Sequence, residues 1–395
     1  MTAPLLYLDN NATTRLAPEA RAAMEPWLGE RWGNPSSSHG FGRAAAEAVA
    51  VARRRVARLI QAHPAELVFT SGGTEAINTA IAGALAARAG RRRVVTSTVE
   101  HSATRRPLER HAAAGVRVER VPVDARGVLD VDAALRAIDA ECALVTLILG
   151  NNETGVVLAD DAVRALGAAC RAHDVALHLD AVQVVGKLPL AVGGPDALPL
   201  DLVSISAHKL HGPMGVGALW VRPGTALEPL LLGGPQESER RAGTLNVPGI
   251  VGFGRAAELA GERLARPEGN QRLRELRDRL ADELLEHVPG ARVNGAGVDG
   301  AQRLPGTLSI VLPGVEGEAL LMLLSELGVA ASTGSACDAE RREPSPTLLA
   351  MGLSAAEAAA SLRLSLSHET TAEDVARAAR AVRTAHEALR ALAPR

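Results

Sequence analysis

The 395-residue chain has 47% hydrophobic and 22% charged residues and a formal net charge of −2, a balance that excludes long disorder and collagen-like repeats. A charge so close to zero argues against nucleic acid or an anionic membrane as the main partner, since both require a basic excess. No apolar run is long enough for a bilayer, the opening residues lack a signal-peptide pattern, and Cys142, Cys170 and Cys337 are too few and scattered for a disulfide framework or a zinc site. The chain reads as cytoplasmic, with no metal expected.

The opening segment contains an apolar stretch, Leu5 to Leu8, that can pack against any later domain. From Glu66 to Arg222 short β-rich runs alternate with helical spacing. The strand candidates are 66–70, 94–97, 116–121, 143–149, 175–179, 201–206 and 215–221, and helical segments at 74–89, 102–114 and 160–173 lie between them. This alternation predicts an α/β fold, a mainly parallel sheet with helices on both faces and ligands beyond the carboxyl ends of its strands. After Val221 the pattern changes to two long helices, 248–266 and 270–287. Strands at 307–312 and 362–367 and helices at 316–327 and 372–392 follow, which predicts a smaller α+β domain.

Four places carry candidate chemistry. Thr70 to Glu75 follows a strand and opens a helix; Gly72 and Gly73 permit close backbone approach, and Ser71 and Thr74 offer hydroxyls, so the loop suits a phosphate or is a plain capped turn. Asp180 ends an apolar strand, where it can hold a cationic ring nitrogen or cap the next turn, with Gln183 one turn on. His101 can stack on a flat ligand or cap the helix at Ser102. The fourth place is Ser206 to Lys209. Of 43 basic residues only two are lysine, Lys187 and Lys209. Arginine cannot replace an amine that must lose its proton and form a Schiff base, so a surviving lysine at a strand end, beside Ser206 and His208, is a candidate reactive amine. Lys187, between Gly186 and Leu188-Pro189, reads as a turn.

Together these motifs resemble the pyridoxal-phosphate enzymes of the class-V aminotransferase group, most closely cysteine desulfurases of the iron–sulfur-cluster or nitrogenase-assembly kind. The stretches that carry the resemblance are 7–14, 33–36, 70–75, 100–101, 151–155, 180–183, 206–209, 241–244, 332–337 and 363–365. It implies a fold-type-I transferase with a seven-stranded sheet. Residues 1–14 would be an N-terminal segment packing on the small domain, 15–255 the large cofactor-binding domain and 256–395 the small one.

The resemblance makes Lys209 the Schiff-base lysine, His101 the ring-stacking residue and Asp180 the partner of the ring nitrogen. Gln183 and Asn152 would sit near the ring oxygen and the substrate. Gly73, Thr74, Ser206 and His208 would bind the phosphate, helped by Thr244 from a second subunit of a homodimer, and Arg363 would hold the substrate carboxylate.

The cysteines bear on the reaction. Cys142 lies in an apolar run and Cys170 on an Ala-rich helix, as buried structural thiols do. Cys337 lies in the polar, aperiodic stretch from Ser332 to Arg342, which reads as a flexible loop with an accessible thiol. The expected reaction is conversion of L-cysteine to L-alanine with the sulfur left as a persulfide on Cys337 for a sulfur-acceptor or iron–sulfur scaffold protein. A selenocysteine lyase, an aminotransferase and a non-catalytic sulfur carrier are the alternatives.

Overall fold

Strands that are apolar on both faces must be covered on both, and the computed structural model, which describes residues 5–295, 303–333 and 344–392, has that arrangement. A short strand β1 (Leu6–Tyr7) is followed by two helices, α1 (Pro18–Leu28) and α2 (Gly40–Leu59). The alternating region then runs β2 (Leu67–Thr70), α3 (Gly73–Ala87), β3 (Arg93–Ser97), α4 (Ser102–Ala113), β4 (Arg117–Val121), α5 (Val131–Ala137) and β5 (Cys142–Ile148). It continues with α6 (Asp160–Ala172), β6 (Ala176–Asp180), β7 (Leu202–Ser206) and β8 (Gly217–Val221).

β2 to β8 form one seven-stranded sheet in the order β2-β8-β7-β6-β5-β3-β4. β8 runs antiparallel to both its neighbours, while the remaining pairings are parallel. This is the expected α/β class with a mainly parallel sheet. The central strands β6 and β7 are buried at every position, whereas the edge strand β4, Arg-Val-Glu-Arg-Val, places charges outward, which discourages pairing with another chain. One core lies on the α2 side of the sheet and contains Val49, Val56, Phe69, Leu177, Ile205 and Phe253. A second core, with Ile77, Ile81, Leu144 and Leu219, lies under α3.

The rest of the chain adds α7 (Val247–Leu264), α8 (Pro267–His287), β9 (Arg292–Val293), β10 (Thr307–Val311), α9 (Gly317–Glu326), β11 (Val329–Ala330), β12 (Ser332–Thr333), α10 (Pro346–Ala350), α11 (Ala355–Ala359), β13 (Ser361–Ser365) and α12 (Ala372–Leu392). β12, β13, β10 and β9 form an antiparallel sheet in that order. A separate core gathers Leu280, Leu308, Leu320, Leu364 and Val382. A boundary at residue 255 falls inside α7, whose buried residues Ile250, Phe253, Ala256 and Ala260 all belong to the first core. The later core takes its first helical contribution from Leu276.

The opening segment ties the two bodies together. β1 pairs in parallel with β11, Leu6 opposite Val329, and Leu6 and Leu8 are buried in the later core. A few residues on, the Thr14 backbone N–H donates to the His208 carbonyl at 3.0 Å, against the end of β7.

Candidate active site

The carboxyl ends of β2, β5, β6 and β7 open onto one cavity of ≈ 290 Å³. Gly73, Thr74, His101, Asn152, Asp180, Gln183, Ser206, His208, Lys209 and Arg363 all line it, joined by Asn11 and Ala12 from the opening segment. Adjacent parallel strands bring the ends of β5 and β6 level, Ile148 opposite Asp180, while β7 runs two residues beyond the Ser204 that pairs with Asp180, to Ser206. Residues scattered from position 73 to position 209 therefore face one space.

At one end lies the first turn of α3. The helix begins at Gly73, with Gly72 as its cap, and among the described residues no side chain caps it. An α-helix cannot itself satisfy its first N–H groups, so this end suits an anion. Gly73 is there for space: a Cβ would lie 2.7 Å from Val182 Cγ2 and 3.4 Å from Ser206 Cβ. The loop is braced from outside, where Glu75 accepts the Ser71 backbone N–H at 2.7 Å and pairs with Arg241 at 2.8 Å.

On the floor is Asp180, 4% exposed. Its Oδ1 accepts the Val182 backbone N–H at 3.0 Å. Burial pushes its pKa up to about 6, against the pull of that hydrogen bond and of Lys209. Close by, burial raises Glu100 further, to about 8, although its Oε1 accepts from Ser97 Oγ at 2.6 Å and from the Ile148 N–H. The neighbouring Asp180 adds to the rise at Glu100, and a cation opposite Asp180 would offset the cost of burying its charge. Of the two roles left open for His101, the cap of α4 is seen, its Nδ1 accepting the Ala103 N–H at 3.1 Å, and the ring also lines the cavity. An Nδ1 that accepts carries no proton, which assigns the neutral ring's proton to Nε2.

Lys209 sits on the single helical turn that follows β7. Its Nζ donates to the backbone oxygens of Asn11 at 2.6 Å and Ala12 at 2.8 Å. Arg363, 2% exposed on β13, donates through Nη2 to Asp9 at 2.7 Å and through Nη1 to the Asn152 carbonyl at 3.1 Å. Among the described residues its buried Nε has no hydrogen-bond partner. The guanidinium is thus already engaged on one side, and a substrate carboxylate would share it with Asp9.

Two expected residues are not among those that line the described cavity. Thr244 is exposed and does not line this cavity, and Cys337 lies outside the described residues. Cys142 and Cys170 are fully buried in the first core, and burial raises both thiols above their ordinary range.

Three residues had no role assigned from sequence. Asn11 is a hub: its carbonyl accepts from Lys209 and from Gln183 Nε2 (2.8 Å), and its Nδ2 donates to the Asn152 carbonyl at 3.0 Å and to Thr307 Oγ1 at 2.9 Å. Asp9 is the anion on Arg363. Lys187, read as a turn, is instead drawn inward, where its Nζ donates to Gln183 Oε1 at 2.6 Å and Asn11 Oδ1 at 3.1 Å. Lysine scarcity was the available signal, and it applied equally to both lysines.

The donor set suits a flat cationic ring that carries a phosphate: an anion-receptive helix start, a buried carboxylate short of a cation, a flat imidazole on the cavity wall and an amine within the same space. Comparison with known proteins agrees. Residues 6–378 match the aminotransferase class-V family model. A protein from Cereibacter sphaeroides named cysteine desulfurase is 49% identical over 393 residues, 98% of this chain and 97% of that protein. One of the same name from Gluconacetobacter diazotrophicus is 46% identical, covering 94% of this chain and 91% of its own length. Among solved structures, one titled NifS-like protein superposes with a TM-score of 0.87 at 34% identity, over 96% of this chain and 98% of the other. A NifS-like protein from Rickettsia africae gives a TM-score of 0.84 at 27% identity, over 97% and 99%.

Proposed function

We propose, from the premise that this chain belongs to the class-V aminotransferase family, that it is a pyridoxal-phosphate-dependent cysteine desulfurase. The observation that carries the reading is the cavity that unites Lys209, Asp180, His101 and the start of α3, in a chain 49% identical over 393 residues to a protein named cysteine desulfurase. The reaction converts L-cysteine to L-alanine and leaves the sulfur on an enzyme cysteine as a persulfide. The thiol becomes S–SH, and the substrate's sulfur is replaced by hydrogen at the β-carbon, so atoms balance without an external oxidant.

Bound in the cavity, pyridoxal phosphate supplies an electron sink that weakens the bonds around the substrate's α-carbon. Gly73, Thr74, Ser206 and His208 would hold its phosphate, Asp180 its ring nitrogen and Gln183 its ring oxygen. Lys209 Nζ would be its attachment point and would move the α-proton, with its hydrogens oriented by the backbone oxygens of Asn11 and Ala12. His101 lies on the wall with Nε2 as its protonated nitrogen and exchanges a proton there. Arg363, with Asn152, orients the substrate carboxylate, and its unpartnered buried Nε supports this role. Cys142 and Cys170 are sealed in the core as poor thiolate formers, so sulfur capture is assigned to Cys337. Thr244, exposed beyond Arg241, is assigned to the phosphate site of a second copy in a homodimer, and the sulfur goes on to iron–sulfur-cluster assembly in the cytoplasm.

Incubation with L-cysteine and a thiol reductant tests the function. Alanine and sulfide should appear in equal amounts; pyruvate and ammonia, or amino transfer to an oxo acid as the main product, would contradict it.

A further inference from the structure

The second lysine occupies a position that the reaction above does not use. Lys187 lies where two cavities nearly meet. One is the site just described; the other, of ≈ 270 Å³, lies behind Lys209 and is lined by Lys187, Lys209, His211 and Arg263 among others. Its Nζ bonds to Gln183 Oε1 and Asn11 Oδ1, and its own carbonyl is held by Asn270 Nδ2 at 2.9 Å. Because Lys187 takes Gln183 Oε1, the other end of that amide, Nε2, points to the Asn11 carbonyl. A flipped amide would set oxygen against oxygen there. The same carbonyl receives Lys209 Nζ.

We propose that Lys187 is a positioning residue for the reaction-centre lysine: through Gln183 and Asn11 it fixes the carbonyl oxygen that receives the Lys209 amine. The inference rests on the proposed function only for what Lys209 does. Burial, then repulsion from Lys209 and Arg363, brings Lys187 down to about 7. At that value Lys187 sheds its proton before an ordinary lysine does, and the neutral amine still donates to Gln183 Oε1 and Asn11 Oδ1. The groups facing Lys187 from neighbouring elements are mostly cationic: Lys209 after β7, Arg363 on β13 and Arg263 on α7, with the neutral imidazole of His211 beside them. Glu268 and Arg272 of α8 line the rear cavity, and Asp180 stands on the far side of Lys209.

With only two lysines in the chain, trace acetylation of the whole protein freed of carbonyl compounds, read by peptide mass across pH 5–11 (a range of about 6 units chosen to span lysine titration), reports each amine separately. Lys187→Met, which removes the donor that sets the Gln183 amide, should loosen the Asn11 oxygen and lower the half-labelling pH of Lys209 by about half a unit, because a carbonyl that accepts from an ammonium favours the charged form. Lys187→Gln, which keeps a donor for Gln183, should leave Lys209 near its wild-type value. Lys187→Leu serves if the Met variant does not fold, and should behave as Met does. An unchanged Lys209 profile in Lys187→Met or Lys187→Leu, or an equal displacement in Lys187→Gln, overturns the proposal. Borohydride reduction with pyridoxal phosphate tests the cofactor reading separately, by whether the adduct maps to Lys209.

Discussion

Arg363 illustrates how a residue's role depends on what already holds it. Its guanidinium bridges Asp9 and the Asn152 carbonyl, and among the described residues its buried Nε has no partner. A charge-assisted carboxylate bond is worth about 1.5–3 kcal/mol, so Arg363→Ala should lower kcat/KM by about 100-fold, mainly through KM. Unchanged kcat/KM in a less stable protein would make Arg363 only a tie to the opening segment. Ten of the site residues expected from sequence line the cavity; most stand at a strand end or in a loop of readable chemistry, whereas Arg363, in the middle of β13, was marked out by the family resemblance. Asn11, Asp9 and Lys187 had no such local mark. Lys187 touches Asn11 across 176 positions of chain, and a contact of that span depends on tertiary packing that local spacing does not encode.

At the scale of elements, strands were easier to read than the first helices. β5 to β7 emerge within about a residue of expectation, since continuous apolar runs bounded by polar residues have few alternatives. α1 and α2 were not expected. The buried face of α2 consists of Ala45, Val49, Ala52 and Val56, a helical spacing made of small side chains among arginines, which gives a faint apolar signal. The opening segment could be assigned to neither body from its apolar residues alone; Leu8, with 0% exposure, lies in the later core. Leu8→Ala should therefore cost about 2–5 kcal/mol. Because that core holds β13, the variant should also weaken cysteine binding through Arg363. A melting temperature equal to wild type would show that the segment is dispensable to the core.

For the whole molecule, pH sensitivity follows from buried imidazoles. His178 bridges Thr146 and Ser204 inside the sheet and is lowered to about 3. His208 and His368 are lowered to about 4, and His211 to about 3. A histidine with a depressed folded value takes up its proton on unfolding, so stability is lost as pH falls below the unfolded value of about 6.5. Asp180 and Glu100, raised to about 6 and about 8, act in the opposite direction, since they hold protons in the fold that the unfolded chain releases. Four imidazoles outweigh two carboxyls, so the urea midpoint of the cofactor-free protein should fall between pH 6.5 and pH 5, a window of about 1.5 units. A flat or rising midpoint would mean that these imidazoles are not buried neutral.

The measurement that bears most directly on the reaction is the fate of one pulse of sulfur-labelled L-cysteine. The account predicts that a brief pulse places the label on Cys337 as a persulfide that reductant removes, with Cys142 and Cys170 unlabelled in their core. Cys337→Ser should still bind cofactor and cysteine, because Lys209, Asp180 and Arg363 are untouched, yet release neither alanine nor protein-bound sulfur, since a hydroxyl is a far poorer nucleophile toward sulfur than a thiolate. Label on another cysteine, or alanine formed by Cys337→Ser at the wild-type rate, would contradict it.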